Sequence, residues 1–354
     1  MEKTIIKKFS WKRWVVLFII LLLLGWIKIP YYYSQPGMAE PLTEMVHVDG
    51  SKKEHSGTFM LTTIQTAHAT PLLAAWSYLS PFRSLHPAPE ELTDEEYDER
   101  QRVMMEISQD NAKIAAYTAS SHGRVNITNN GVYVSSIVKG MAAEGYLKSG
   151  DVIKQINGQD VKTAEELLEV LSSYEEGDTV SVTFRRAGVA KTESLTFAKL
   201  PAREGEISKR AGIGIQGPLT DRTVTFVPDV EITAGAIGGP SAGLMFSLEV
   251  YQQLSSENLT KGHCIAGTGT IDEMGRVGPI GGANQKVVAA DDEGAAYFFV
   301  PHQYGAPNSN YVEAKKAAEA IGTEMDIVPV DTLQDALTFL KTLPEKTEGC
   351  SKRS

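Results

Sequence analysis

Two glycine-punctuated helix starts, with a serine and a lysine 45 residues apart, constrain this chain more than any other feature. The first is Gly238-Gly239-Pro240-Ser241-Ala242-Gly243, which runs directly into Leu244-Met245-Phe246-Ser247-Leu248-Glu249-Val250. Proline suits the first turn of a helix. Glycines permit unusual dihedrals and let another backbone come close. Ser241 is therefore expected at the head of an apolar helix, among N–H groups that have no intrahelical acceptor. The second start is Ile280-Gly281-Gly282-Ala283-Asn284-Gln285-Lys286, continued by Val287-Val288-Ala289-Ala290. It carries a lysine into small, apolar company.

A serine so held can act as a nucleophile, and a lysine can serve as its base in place of histidine. Lys286 must then be neutral, whereas at an ordinary pKa only roughly one lysine in 2,500 is neutral at pH 7. Burial disfavours the ammonium and supplies the correction. No carboxylate adjoins Lys286 in sequence to hold its charge. The backbone around Gly239, Pro240 and Ala242 is the expected oxyanion site, because free N–H groups at a helix start can meet a developing negative charge.

These words stand in order with Ala266-Gly267-Thr268-Gly269-Thr270-Ile271-Asp272, Gly275-Arg276-Val277-Gly278-Pro279 and Phe298-Phe299-Val300-Pro301. Together they resemble the protease domain of the Lon family of serine peptidases, from about Ile213 to Leu343. The resemblance implies a Ser241–Lys286 dyad with Thr268 orienting the lysine. Thr270 stands where the ATP-dependent members commonly carry Glu, and Gly238 where they often carry Asp. No Gly-x4-Gly-Lys-Ser/Thr occurs in the chain, so ATP is not expected to take part.

Upstream, Gly131-Val132-Tyr133-Val134, Leu147-Lys148-Ser149-Gly150-Asp151-Val152-Ile153, Ile156-Asn157-Gly158 and a helix capped at Thr163 resemble a PDZ domain. Such domains hold extended peptide by adding it to a sheet edge. Residues 123–127 are the expected place of a carboxylate-binding loop. The whole is similar to the membrane-anchored PDZ–Lon-type proteases of Gram-positive bacteria. That implies an ATP-independent endopeptidase cleaving exported peptides or flexible protein segments, with the PDZ domain assisting recognition. Homo-oligomers are common among Lon-type domains and are possible here.

The N-terminus bears on location. An apolar run covers residues 15–27, with Lys3, Lys7, Lys8, Lys12 and Arg13 before it and Tyr31-Tyr32-Tyr33 after it. Basic residues on one flank and interfacial aromatics on both suggest a single-pass anchor with a cytoplasmic N-terminus and an extracellular catalytic domain. The expected fold class is thus α+β multidomain: an N-terminal transmembrane helix, a PDZ-like β-rich domain and a Lon-type α+β protease domain. In residues the plan reads 1–13 cytoplasmic tail, 14–30 anchor, 31–119 N-terminal extracytoplasmic region, 120–200 PDZ-like domain, 205–343 protease domain and 344–354 disordered tail. Within the third part, Thr93 and Glu96 suggest a capping box that opens a helix toward Tyr117.

The net charge of -10 offers no basic stripe for nucleic acid. The histidines lack metal-ligand spacing, so neither metal nor cofactor is expected. Cys264, in an apolar run, reads as a buried free thiol, and Cys350 as an idle residue of a polar tail. Two rival functions use the same residues. Gly239-Pro240-Ser241-Ala242-Gly243 also fits the nucleophile elbow of an α/β-hydrolase-type esterase, for which His302, preceded by Asp291 or Asp292, is the histidine left to serve. The other rival is a membrane-tethered PDZ scaffold carrying an inactive protease fold.

Overall fold

The computed structural model describes residues 11–51, 56–88, 94–201, 210–346 and 350. The chain divides into one unit made of Met1–Arg124 with Phe226–Ser354, and a second made of Val125–Thr225.

The first unit is built on a six-stranded sheet in the order Asp326–Val330, Tyr297–Pro301, Cys264–Gly267, Thr58–His68, Tyr31–Pro41, Ser84–Pro87. The first four strands run parallel, and the last two add antiparallel. Parallel strands covered on both faces need continuous apolar runs. Cys264-Ile265-Ala266-Gly267 and Phe298-Phe299-Val300 supply them, all buried. The helix Ala283–Asp292 presents Ala283, Val287 and Ala290 to Ala39, Met60, Ala266 and Phe298 in one core cluster. The helix Gly243–Ser255 is buried along nearly its whole length and packs against the long helix Asp94–Ala119. Thr93, the expected cap of that long helix, lies outside the described residues.

The transmembrane helix of the expected fold class is overturned. Trp11–Trp26 is a helix of 16 residues, about 24 Å at 1.5 Å per residue, against a hydrocarbon core of about 30 Å. Among the described residues no helix is long and apolar enough to cross a membrane. The single-pass location, with its cytoplasmic N-terminus and extracellular catalytic domain, is corrected with it. The reason lies just past the helix. Ile29 N–H donates to the Ala69 carbonyl at 2.9 Å, and Tyr31-Tyr32-Tyr33 open the strand Tyr31–Pro41 with Tyr33 buried. Those tyrosines are sheet residues rather than an interfacial belt. Lys3, Lys7 and Lys8 lie outside the described residues.

The cysteines also differ from expectation. Cys264 and Cys350 form a disulfide across 86 residues of sequence. One sits in a core strand and one in a polar tail, so neither position announces a partner. Pro344 and Lys346 dock at the residues that lead into the strand. Lys346 N–H donates to the Lys261 carbonyl at 2.8 Å, and His263 Nε2 meets the Pro344 carbonyl at 2.9 Å. Of the expected disordered tail, 347–349 and 351–354 lie outside the described residues.

The second unit holds a sheet in the order Val189–Thr196, Thr179–Arg186, Val152–Ile156, Arg124–Tyr133, Leu219–Val227. Val132, Ile153, Ile156, Val182 and Phe184 fill its core together with Leu167 of the helix Ala164–Leu171. Thr163 caps that helix by accepting from Glu166 N–H at 3.2 Å, while the Glu166 carboxylate accepts from Lys162 N–H at 2.7 Å. The Lys148-Ser149-Gly150-Asp151 word has a physical reason. Asp151 is 1% exposed and accepts from Lys148 N–H at 2.8 Å and from Arg186 Nε and Nη2, each at 2.7 Å. Burial pulls its carboxyl up, but the bonds from Arg186 and Lys148 outweigh that and leave it below the ordinary value. Residues 124–127 open the strand Arg124–Tyr133 rather than forming the expected carboxylate-binding loop, and the strand's register with Val152–Ile156 falls at Val132 and Tyr133.

Candidate active site

Ser241 lies one residue before Ala242, the cap of the helix Gly243–Ser255. Its loop is shaped by close approaches. A Cβ on Gly238 would stand 2.9 Å from the Gln101 Cβ, and Gly239 holds φ +85°. An aspartate at 238 would collide with the long helix, which accounts for glycine there. Lys286 comes from the first turns of the helix Ala283–Asp292, whose cap Gly282 holds φ +65° against the Ile64 side chain.

The two side chains meet. Lys286 Nζ lies 2.7 Å from Ser241 Oγ, 3.1 Å from Thr268 Oγ1 and 3.0 Å from the Thr62 carbonyl oxygen. Thr268 Oγ1 in turn donates to the Ser241 carbonyl at 3.0 Å. Lys286 is 3% exposed, and burial pushes its pKa down to about 7. A neutral amine has two N–H bonds and one lone pair. Thr62 O and Thr268 Oγ1 take the two N–H bonds, which leaves the lone pair facing the Ser241 hydroxyl. Each group in the chain then has a donor or acceptor role it can fill.

The three expected oxyanion positions differ in kind. Gly239 N–H is taken by the Gln101 carbonyl at 2.9 Å. Pro240 has no N–H to give. Ala242 N–H and Ser241 N–H donate to no acceptor among the described residues. The peptide between Ser241 and Ala242 is held by Gly269 N–H and Thr268 Oγ1, at 2.8 and 3.0 Å from the Ser241 carbonyl. Available backbone donors therefore sit at Ser241 and Ala242.

Thr62, Gln101 and Ser108 reach this site from the N-terminal third of the chain, and sequence reading missed all three. Thr62 had only the β-branched character of its strand to mark it, and nothing in the long helix's pattern marked Gln101 or Ser108. His302, the residue an esterase would need, has Nδ1 3.4 Å from Asp331 Oδ2. His263 is spent on the C-terminal segment. Among the described residues no group of three or more His, Cys, Asp or Glu side chains could hold a metal ion.

Comparison with known proteins finds two family matches. Residues 219–342 match the Lon protease (S16) C-terminal proteolytic domain, and residues 110–196 match the PDZ domain. Among the relatives, the peroxisomal Lon protease homolog 2 of Caenorhabditis elegans is 31% identical over 175 residues, 48% of this chain and 20% of that one. The Lon protease of Chloroflexus aurantiacus is 29% identical over 142 residues, 40% of this chain and 16% of that one. The serine protease Do-like HtrA of Lactobacillus helveticus is 42% identical over 60 residues, 17% of this chain and 14% of that one. The chain spans a fifth or less of the length of these relatives. What the matches establish is that the chain carries a serine-peptidase domain of the Lon type together with a PDZ domain.

Proposed function

We propose that this chain is an ATP-independent serine endopeptidase using a Ser241–Lys286 dyad. What carries the proposal is the 2.7 Å contact between a serine hydroxyl and a lysine that burial holds near neutrality. Ser241 Oγ attacks the scissile carbonyl as its proton passes to Lys286 Nζ. The C–O bond forms, and the carbonyl oxygen becomes an oxyanion facing the N–H groups of Ser241 and Ala242. As the tetrahedral intermediate collapses, the C–N bond breaks and Lys286 returns the proton to the leaving amine. Water, deprotonated by the same lysine, then adds to the ester. The acid product leaves and the Ser241 hydroxyl is restored. Thr268 and the Thr62 carbonyl keep the amine oriented through both halves.

The substrates in this reading are peptides or flexible protein segments, which the PDZ domain holds in extended form. The test is cleavage of an unfolded protein by the purified chain with no nucleotide present. Wild type and His302→Ala are expected to cleave alike. A requirement for ATP removes the ATP-independent claim, and activity lost in His302→Ala hands the serine to hydrolase chemistry. Peptide binding with no turnover, and no reaction of Ser241 with an acylating probe, favours a scaffold. A second measurement addresses recognition. Replacing residues 125–225 with a short flexible linker is expected to raise KM for a protein substrate while leaving kcat on a minimal peptide within a few fold. An unchanged KM removes the recognition role.

A further inference from the structure

Ser108 lies in the middle of the helix Asp94–Ala119 and is 2% exposed. A serine inside a helix ordinarily faces water or bonds back to its own preceding turn. This one does neither. Its hydroxyl leaves the helix and donates to the Pro240 carbonyl at 2.8 Å. The approach is tight, since a Cβ on Gly243 would stand 2.8 Å from Ser108 Oγ. Two further bonds join the same helix to the same neighbourhood. Gly239 N–H donates to the Gln101 carbonyl at 2.9 Å, and Asn111 Nδ2 donates to the Ile271 carbonyl at 3.1 Å. Positions 101, 108 and 111 are spaced by seven and three residues, so they share one face of the helix.

The Pro240 carbonyl belongs to the same peptide as the Ser241 N–H. That peptide is trans, the one cis bond among the described residues being Val227–Pro228. In a trans peptide the C=O and the N–H point in opposite directions. A donor that fixes the carbonyl therefore also fixes the direction of the N–H. The next peptide along is fixed in the same way by Gly269 N–H and Thr268 on the Ser241 carbonyl.

We infer that Ser108 is a positioning residue for the peptidase reaction. By holding the Pro240 carbonyl, it keeps the Ser241 N–H aimed at the place where the oxyanion forms. Ser108 lies outside both matched segments, 110–196 and 219–342. The assignment rests on the reading of Ser241 as nucleophile. It makes the long helix part of the oxyanion machinery rather than only a packing partner. A preorganised donor costs no rearrangement when charge develops, whereas a peptide free to rotate must be reoriented in each turnover.

The test compares Ser108→Ala with wild type on a minimal peptide. Expected is a fall in kcat of about tenfold to a hundredfold, somewhat less than the loss of a whole oxyanion donor. KM should stay within about twofold, because the carbonyl interaction strengthens only in the transition state. A peptide boronic acid, whose tetrahedral adduct places an oxygen at the oxyanion position, should lose affinity by the same factor as kcat. The pH midpoint should not move, since Ser108 does not touch Lys286. An unchanged kcat overturns the proposal. So does a loss that appears in KM, or one that shifts the pH midpoint, since either marks a general distortion. If Ser108→Ala melts well below wild type, Ser108→Cys is measured instead. It fills the pocket with a far weaker donor and carries the same expectations. Ser241→Ala, run in parallel, separates the two readings. Activity surviving in Ser241→Ala removes the nucleophile itself, whereas a dead Ser241→Ala beside a fully active Ser108→Ala removes only the positioning role.

Discussion

Lys286→Met is expected to stop turnover and, at the same time, to make the chain more stable. The two effects have one cause. Lys286 is 3% exposed, and its pKa is pushed from 10.5 to about 7 by burial. A shift of that size means the folded state holds the lysine's proton less firmly than the unfolded state does, at a cost of roughly 4 kcal/mol near pH 7. Methionine fills similar space without a charge to bury. It also leaves the Thr62 carbonyl and Thr268 hydroxyl without the amine, which offsets about 1–3 kcal/mol of the gain. The net stabilisation should therefore be about 2 kcal/mol near pH 7. Its pH dependence follows from the direction of the shift. Below the folded pKa the lysine is charged in both states, and its full cost is present. Between about 7 and 10.5 that cost shrinks as pH rises. The stability difference between variant and wild type should shrink with it, read as converging urea midpoints from pH 6 to pH 9. Activity follows the opposite limb. Wild-type kcat/KM should climb through pH 7 as Lys286 loses its proton, because only the neutral amine can take the serine's proton. A flat profile across that range, or a methionine variant that still cleaves, would dispose of the lysine as base.

The parts of this site that were legible in sequence are the local ones. Ser241 and Lys286 each lie in a short word whose glycines and small residues have a reason visible in one stretch of chain, and Thr268 was marked by the resemblance those words carry. The structure brings Lys286 Nζ within hydrogen-bonding distance of the Ser241 and Thr268 hydroxyls, and the Thr268 hydroxyl onto the Ser241 backbone carbonyl. The Asp151 word in the PDZ domain is of the same kind, since its first bond reaches only three residues back. What sequence could not supply is pairing between distant segments. Thr58–His68 joins Cys264–Gly267 as a parallel neighbour, and parallel pairing carries no turn signal to announce it. That pairing delivers the Thr62 carbonyl to a lysine 224 residues away. Gln101 and Ser108 were hidden for a similar reason, as their partners lie on a loop more than 130 residues downstream. The disulfide follows the same pattern, with one cysteine in the core and the other in the tail. The anchor expectation failed differently. Hydropathy registers an apolar run but not where the helix stops, and here the following tyrosines pair into the sheet.

Ser241→Ala should lower kcat by about 10⁴-fold or more, as loss of a nucleophile does in enzymes whose groups act as a unit. Substrate affinity should be nearly unaffected, because the serine hydroxyl contributes little to holding an extended peptide. The more searching measurement is the double variant. If Ser241 and Lys286 perform one step together, removing the second after the first costs almost nothing further. Ser241→Ala with Lys286→Met should then match Ser241→Ala alone within a few fold. The 2.7 Å contact and the shared bonds to Thr268 give the physical ground for that coupling. With the hydroxyl gone, the lysine has no proton to collect. Residual hydrolysis in either variant then reflects only substrate positioning and the backbone donors at Ser241 and Ala242. Losses that add in the double variant would mean that the two side chains serve separate steps. In that case Lys286 would act on something other than the serine, such as an attacking water, and the dyad would have to be abandoned even though both single variants are inactive.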